Sequence, residues 1–406
     1  MRIRVLAAVA LLLCAAADAA VDREAARRAF DAFTLNCLRD DGALWGVSLC
    51  GNIAIVDRNT REAVESPGWV EKLPENIGIA NTAFDYRGTR WSMIVWPLPK
   101  DEGARDRLLL HERFHAIQSR IGLPMSSPAA NAHLDTLEGR YLMRLEMRAL
   151  RKAVLALGKS LDEARGALRD ALAFRRARFE RFQTAAESEG ALDRNEGMAE
   201  YTAFRLYTTD RARMLDAAAQ ALSAGETSDA FARSYAYASG PAWGLLLDEF
   251  RPDWRKEIAE PKTFEQLLAK QTGKTIALDR RAQRYGAAKL RAEERKRDED
   301  RRVRIASYVA RFIDGPVLKI PLIEFNMQMD PYDVHPFENR GTVYEHITIS
   351  DRWGKIVVDK GALISSDFKT LTVVAPPSGA WTLTLTPGWQ TVPATRSGDF
   401  IVQKAR

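Results

Sequence analysis

Residues 108–118 read LLLHERFHAIQ and hold two of the five histidines in a chain of 406 residues. His111 and His115 are four positions apart, so on a helix their imidazoles project from one face, and Gln118 continues that stripe. Two imidazoles on one rigid element can grip a single Zn²⁺ ion. Glu112 stands one position round, where its carboxylate can take a proton from a metal-bound water. Leu108–Leu110, Phe114 and Ile117 supply apolar faces for packing such a helix into a core. The competing reading is a half-buried helix whose histidines serve only as hydrogen-bonding groups.

A catalytic zinc needs a third protein ligand and an open position. His133, His335 and His346 remain, and only His133 is close in sequence. Carboxylates are better candidates. In NEGMAEY, Glu196 and Glu200 again stand at i and i+4 on an expected helix. One can reach the metal while the other accepts the free ring N–H of a ligand histidine and so fixes its tautomer.

H-E-x-x-H followed by N-E-G-x-A-E-Y resembles the gluzincin zinc metallopeptidases, the thermolysin-like group of the MA clan. The resemblance spans residues 40–275 and implies a division of roles. His111, His115 and Glu196 become zinc ligands, Glu112 the general base and then acid, and Glu200 the partner of a ligand histidine. It further implies an oxyanion donor at Tyr235 or Tyr237, and helical segments Ser234–Phe250 and Phe264–Gly273 after the second zinc helix. The expected activity is hydrolysis of a peptide bond in a peptide or protein substrate by zinc-activated water. The gap from His115 to Glu196 exceeds the compact spacing of thermolysin. Glu138, in DTLEGRY, fits that compact spacing and is the rival third ligand; Glu196 is preferred because the whole string accompanies it. By the same analogy the strand WSMIVWPLP is the edge along which a peptide would lie. Two other readings stand beside this one: a non-catalytic envelope protein with a structural zinc and a peptidase-like fold, and a zinc hydrolase acting on a non-protein envelope substrate. An intact Glu112 counts against the first of these.

These residues need elements to position them. Apolar periodicity and caps predict a helix over residues 22–36, a hairpin over 44–64, a strand over 90–99 and the metal helix after Lys100. Long helices follow over 135–157 and 160–187, then helices over 195–210, 211–224, 234–249 and 263–271. After Pro316 short β-rich runs alternate with Gly, Pro, Asp and Ser, the pattern of a small sandwich, with Trp353, Trp381 and Trp389 as core. The expected fold is α+β: a mostly helical zincin-like domain (21–278) with a small N-terminal sheet, a charged helical linker (279–314) and an all-β module (315–406).

The N-terminus carries a basic MRIR, an apolar run Val5–Ala17 and small residues for cleavage after Ala19 or Ala20, a secretory signal over residues 1–20. With no apolar run long enough to span a bilayer, the expectation is export to the periplasm or medium without stable membrane insertion. Leu13 before Cys14 argues against lipidation. Cleavage leaves Cys37 and Cys50, either a disulfide, which export favours, or two buried thiols. The net charge is +6, and residues 280–304 alone carry eleven Lys/Arg against five Asp/Glu. The rest is therefore neutral, and RAEERKRDEDRR reads as a solvated, self-paired helix rather than a nucleic-acid surface. Nothing in the sequence sets the oligomeric state.

Overall fold

A computed structural model describes residues 21–75, 77–123, 131–271 and 277–405. The expected signal, residues 1–20, lies outside the described residues. Among the described residues no helix is long and apolar enough to cross a membrane.

Helix α1 (Arg23–Asp40) starts where the Asp22 carboxylate accepts the N–H groups of Glu24 and Ala25. Near its end Cys37 is bonded to Cys50, with a Cα–Cα distance of 5.2 Å and a sequence separation of 13. The bridge ties α1 to the chain entering the first sheet. A loop of this length contributes about 3 kcal/mol through the unfolded state. The double variant Cys37→Ser/Cys50→Ser is therefore expected to lose that amount in urea denaturation; an unshifted midpoint would refute it.

The first sheet has five strands: β1 (Ile53–Asp57), β2 (Glu62–Glu65), β3 (Trp69–Lys72), β4 (Thr82–Tyr86) and β5 (Thr89–Trp96). Their order is β3-β2-β1-β5-β4, parallel only between β1 and β5. Alternate residues go to opposite faces. Ile53, Ile55 and Ile94 join the main helical core, while Ala54, Val56, Trp91 and Met93 join a smaller cluster behind the sheet. This corrects the expectation of an edge at residues 90–99. Strand β5 is interior and β4 is the edge. The short TAFDY segment folds back on β5 through Arg87 and Gly88, both at positive φ (50° and 72°), a tight hairpin turn.

The helical body follows: α2 (Glu102–Ile117), α3 (Leu137–Leu157), α4 (Leu161–Arg181), α5 (Ala185–Leu192), α6 (Met198–Leu206), α7 (Arg211–Glu226), α8 (Tyr235–Phe250) and α9 (Phe264–Leu267). The single helix expected over 160–187 is broken between α4 and α5. Residues Asp193–Gly197 form a π turn before α6, where an uninterrupted α-helix is expected from the sequence.

Helices α10 (Leu278–Gln283) and α11 (Ala287–Val309) occupy the segment expected as a charged helical linker. Helix α11 is self-paired in part, through Lys289–Glu293 and the pairs of Asp298 with Arg301 and Arg302, and one face is solvated. The helix also buries Leu290, Glu294, Asp298 and Tyr308 and pairs with α3. Arg140 Nε reaches Glu294 at 2.9 Å, and Arg144 reaches Glu294 at 3.0 Å and Glu293 at 2.8 Å. In return Arg291 pairs with Glu138 and Arg297 with Asp135. Arg140, Arg144 and Arg148 form an i, i+4, i+8 stripe on α3; the first two meet Glu293 and Glu294 of α11, and Arg148 meets Glu226 of α7.

The C-terminal module has eleven strands: β6 (Val317–Pro321), β7 (Asn326–Met329), β8 (Val334–Pro336), β9 (Gly341–Tyr344), β10 (Ile347–Asp351), β11 (Gly354–Val358), β12 (Ala362–Ser365), β13 (Thr370–Val374), β14 (Trp381–Leu385), β15 (Trp389–Pro393) and β16 (Phe400–Lys404). They form one sheet ordered β14-β11-β10-β7 and a second ordered β15-β16-β6-β13-β12-β9-β8. Ile347, Ile349 and Ile356 of the first pack against Leu318, Ile320 and Leu371 of the second, the core of a sandwich. Trp353 is buried in that core and its indole N–H donates to the Pro321 carbonyl at 2.7 Å. The fold is α+β. The module is tied to the body where Tyr308 of α11 donates to Glu345 at 2.7 Å.

Candidate metal centre

Helix α2 packs over the first sheet with its polar residues fixed. Ser92 of β5 donates through Oγ to the Glu112 carbonyl at 2.9 Å. Arg113 donates through Nε to the Leu49 carbonyl at 3.0 Å, next to the disulfide. Burial pulls the Arg113 pKa down to about 10, so it remains a cation at neutral pH. The motif is thus pinned to β1, β5 and the bridged loop on one side, leaving His111, Glu112 and His115 facing a cleft.

Glu196 arrives from the π turn. Such a turn inserts an extra residue and re-aims the side chains around it. Gly197 is crossed there by α8 at Gly240, where a Cβ would collide with the Gly197 backbone. The close crossing brings three donors together. His111 Nε2 and His115 Nε2 are 3.1 Å apart. Glu196 Oε2 lies 3.3 Å from the first and 3.5 Å from the second. These residues can hold a metal ion.

A second layer orients the donors. His115 Nδ1 is 2.9 Å from Gln118 Oε1, Gln118 Nε2 donates to Asn195 Oδ1 at 3.0 Å, and Asn195 Nδ2 donates to Glu196 Oε1 at 2.9 Å. The relay links a ligand on α2 to a ligand on the π turn. Its acceptor at Gln118 puts the His115 proton on Nδ1 and leaves Nε2 with its lone pair free. Glu200 Oε1 does the same for His111, 3.0 Å from Nδ1 although off the line of an ideal hydrogen bond.

The electrostatics follow from burial and proximity. Burial disfavours charge on His111, but the contacts with Glu196 and Glu200 outweigh it and hold the pKa well above 6.5. Burial likewise opposes charge on His115, and Glu196 overrides it to raise the value. Burial pushes Glu196 up, while His115 and His111 together pull it well below the ordinary 4.5. Glu112 is raised, mainly by burial against the opposing charge of the histidines. A carboxylate held above its usual range is a stronger proton acceptor.

Stability depends on pH accordingly. In the metal-free protein the raised histidines contribute stability in full below 6.5 and lose it as pH rises through their raised values. Glu196 contributes above 4.5 and loses it as pH falls through its lowered value. A metal needs both imidazoles deprotonated. Its affinity is therefore expected to climb as pH rises through the histidine values, with protons released on uptake. Calorimetry in buffers of different ionisation enthalpy measures that release, and uptake without it would contradict this electrostatic picture.

Other candidate residues fall in different places. Tyr237 lines the cleft, with its ring parallel to His111 at 5.7 Å and 9°. Burial, then the charge and hydrogen bond of Glu196, hold its phenol protonated well beyond the ordinary range. Tyr235 is not at the site. It is buried and its hydroxyl donates to the Glu189 carbonyl at 2.8 Å, because two steps along a helix turn a side chain through about 200°. Glu138 is also elsewhere, paired with Arg291. His133 Nε2 meets Glu189 Oε1 at 2.6 Å inside the body. Gln118 and Asn195 stand within the two motif strings, but their mutual hydrogen bond crosses 77 residues and has no local signal.

The cleft in front of the donors has a volume of about 920 Å³, and both the helical body and the C-terminal module line it. Comparison of the chain with protein-family models, with curated proteins and with solved structures finds no match.

Proposed function

We propose that the protein is an exported zinc metallopeptidase that hydrolyses peptide bonds in the cleft. The observation that carries this reading is the triangle of His111, His115 and Glu196 donors, open toward a cleft that also exposes Glu112. Zinc bonded to nitrogen and oxygen at ~2.0–2.1 Å in a tetrahedron requires donor separations of roughly 3.3 Å. The separations of 3.1, 3.3 and 3.5 Å bracket that value. Two imidazoles with a carboxylate suit zinc, and three protein ligands leave one position open. When bound, zinc supplies Lewis acidity toward a carbonyl oxygen and toward water.

The chain's own residues do the rest. Glu112 accepts the proton of the attacking water and returns it to the leaving nitrogen. Tyr237, protonated and next to Glu196, donates its O–H to the oxygen that gains charge as the carbonyl is attacked. Glu200 and Gln118 keep both histidines in the tautomer that presents Nε2. The Cys37–Cys50 disulfide supports an oxidising compartment, in keeping with a leader over residues 1–20 and a destination in the periplasm or medium.

The test is removal and return of the metal. Chelation is expected to abolish hydrolysis of an unfolded polypeptide while leaving the far-ultraviolet circular dichroism unchanged, and one equivalent of Zn²⁺ to restore it. The donor-bearing helix α2 is held by the Ser92 and Arg113 hydrogen bonds and by the apolar contacts of Leu109, Phe114 and Ile117, none of which uses a donor, so the fold is expected to persist without metal. Loss of helical signal on chelation would instead mark the zinc as structural and sink the catalytic reading.

A further inference from the structure

Helix α2, the π turn and α8 build one wall of the cleft. The opposite wall belongs to a different part of the chain. Strand β7 contributes Met327, Gln328 and Met329, and the turn after it contributes Asp330, Pro331 and Tyr332. Strand β7 is the outermost strand of its sheet and bonds only β10. On the other side Ala80, Asn81 and Thr82 line the cleft where the chain enters β4, itself the outermost strand of the first sheet. The two walls meet at one end, where a Cβ on Gly78 would stand 3.6 Å from Asn326 Cβ. Two strands that are outermost in their sheets therefore border the groove in which the metal donors lie, and Thr348 and Val357, in one cross-strand row with Gln328, carry the β7 wall onto the face of its sheet.

The turn that carries Tyr332 is held tightly. The Tyr332 N–H donates to Asp330 Oδ1 at 2.9 Å, and the Asp333 N–H donates to the Asp330 carbonyl at 3.1 Å, an aspartate-stabilised turn. The Tyr332 ring is 6.4 Å from Tyr237, which stacks on His111. Three rings thus step from a metal donor to the C-terminal module. Tyr332 nevertheless remains 47% exposed, so much of an aromatic surface on a stiff support is left for contact. Gln328 is half-buried and lies outside the apolar core of the module.

We infer that the C-terminal module is the second wall of the substrate site and that its occupant is an extended polypeptide segment, laid between β7 and the approach to β4 with Tyr332 and Gln328 against its side chains. This rests on the metallopeptidase reading for the bond that is cut, but not for the binding. A free strand edge offers backbone donors and acceptors to an added strand, whatever its sequence, and flanking side chains set the preference. A groove bounded on both sides admits one chain. A folded surface cannot reach Glu112, which is 5% exposed between those walls. The substrate is therefore an unfolded or linear segment. Tyr332 and Gln328 are specificity-determining contacts rather than catalytic residues.

The experiment uses the full mature chain carrying Glu112→Gln, loaded with zinc, and a fluorescein-labelled polypeptide in two states: reduced and carboxymethylated, or native with disulfides intact. Fluorescence anisotropy is expected to show binding of the unfolded state at least tenfold tighter than the native one. Tyr332→Ala should weaken that binding by roughly tenfold, the effect of removing an aromatic anchor. Gln328→Glu should shift preference toward segments rich in Lys and Arg. Zinc content and the melting temperature should stay those of the parent, since neither residue holds the metal or the core. In the zinc-loaded enzyme with Glu112 intact, Tyr332→Ala should raise KM and alter which bonds of the unfolded polypeptide are cut, with kcat at shared bonds little changed. Equal affinity and an identical cleavage map in both variants would overturn the inference. So would tighter binding of soluble peptidoglycan fragments than of any polypeptide. If the unfolded polypeptide binds and responds to both variants but no bond is cut, the groove stands and the metallopeptidase reading fails.

Discussion

Glu112→Gln is expected to keep its zinc and lose roughly 10²–10⁴-fold in kcat/KM, the contribution of a positioned acid–base group. Glu112 touches none of the three donors in a way that would hold the ion, and it is not in the donor set. Its amide replacement fits the same buried space but cannot take a proton. His111→Ala should behave in the opposite way and bind no zinc, because it removes a donor whose Nε2 is 3.1 and 3.3 Å from the other two. Glu196→Gln should retain zinc only weakly, since the neutral amide supplies a poorer ligand and leaves the two imidazoles without their carboxylate. Glu138→Gln should match the parent in zinc content, because Glu138 is spent on Arg291. Elemental analysis and peptide hydrolysis on the same samples decide the matter. Full zinc in His111→Ala, or normal turnover in Glu112→Gln, would end the assignment of roles.

The second large effect lies beneath the site. Glu146, Glu189 and Asp193 share the body's interior with Arg175 and Arg178, all five side chains at most 2% exposed. Glu146 Oε1 accepts from Arg175 Nε at 3.0 Å and Trp243 Nε1 at 3.2 Å, while Oε2 accepts from Arg178 at 2.6 Å. Arg178 also meets Glu189 at 2.6 Å, and Arg175 meets Asp193 at 2.7 Å. Glu146→Gln removes the anion shared by both guanidiniums and weakens the bonds it accepts from them, leaving Arg178 with Glu189 and Arg175 with Asp193, at a cost of roughly 1.5–3 kcal/mol. Asp193 opens the π turn that carries Asn195 and Glu196, so weaker zinc binding should accompany the loss. Urea denaturation of the metal-free variant measures the first and competition with a chelator the second. A stability change below about 1 kcal/mol would show that the network tolerates the missing charge. Acid should act on the same residues. Burial opposes the Glu189 charge, but Arg178 and His133 hold it down at about 2. Its contribution is therefore present above 4.5 and lost as pH falls toward 2.

Much of the site is legible in the chain itself, because a helix converts spacing into a shared face. His111 with His115, and Glu196 with Glu200, are each four apart. Those intervals alone predict one residue of each pair beside the other, and the fold places all four around one point. The β-module is legible for a similar local reason: alternating residues and turn formers mark strands whatever they pair with. The resemblance to gluzincins favours Glu196 over Glu138, and the distances at the site agree with that choice.

The rest depends on which surfaces meet. The string around Glu196 prefers it to Glu138 in sequence, but only the crossing of α8 over Gly197 and the pairing of Glu138 with α11 put one at the donors and the other away from them. Tyr235 and Tyr237 are two residues apart, yet one is sealed against Glu189 and the other faces the metal donors. Gln118 and Asn195 become a relay only when their helices touch. The charges of α11 suggest self-pairing alone until Arg140 and Arg144 of α3 lie against Glu293 and Glu294, and β5 reads as an edge until β4 folds onto it. Met327, Gln328 and Tyr332 belong to the site only because a distant sandwich closes over it. Periodicity and capping act within a few residues and are written in the chain. Partnerships across tens or hundreds of residues are set by how buried faces pack, and no short stretch of sequence contains them.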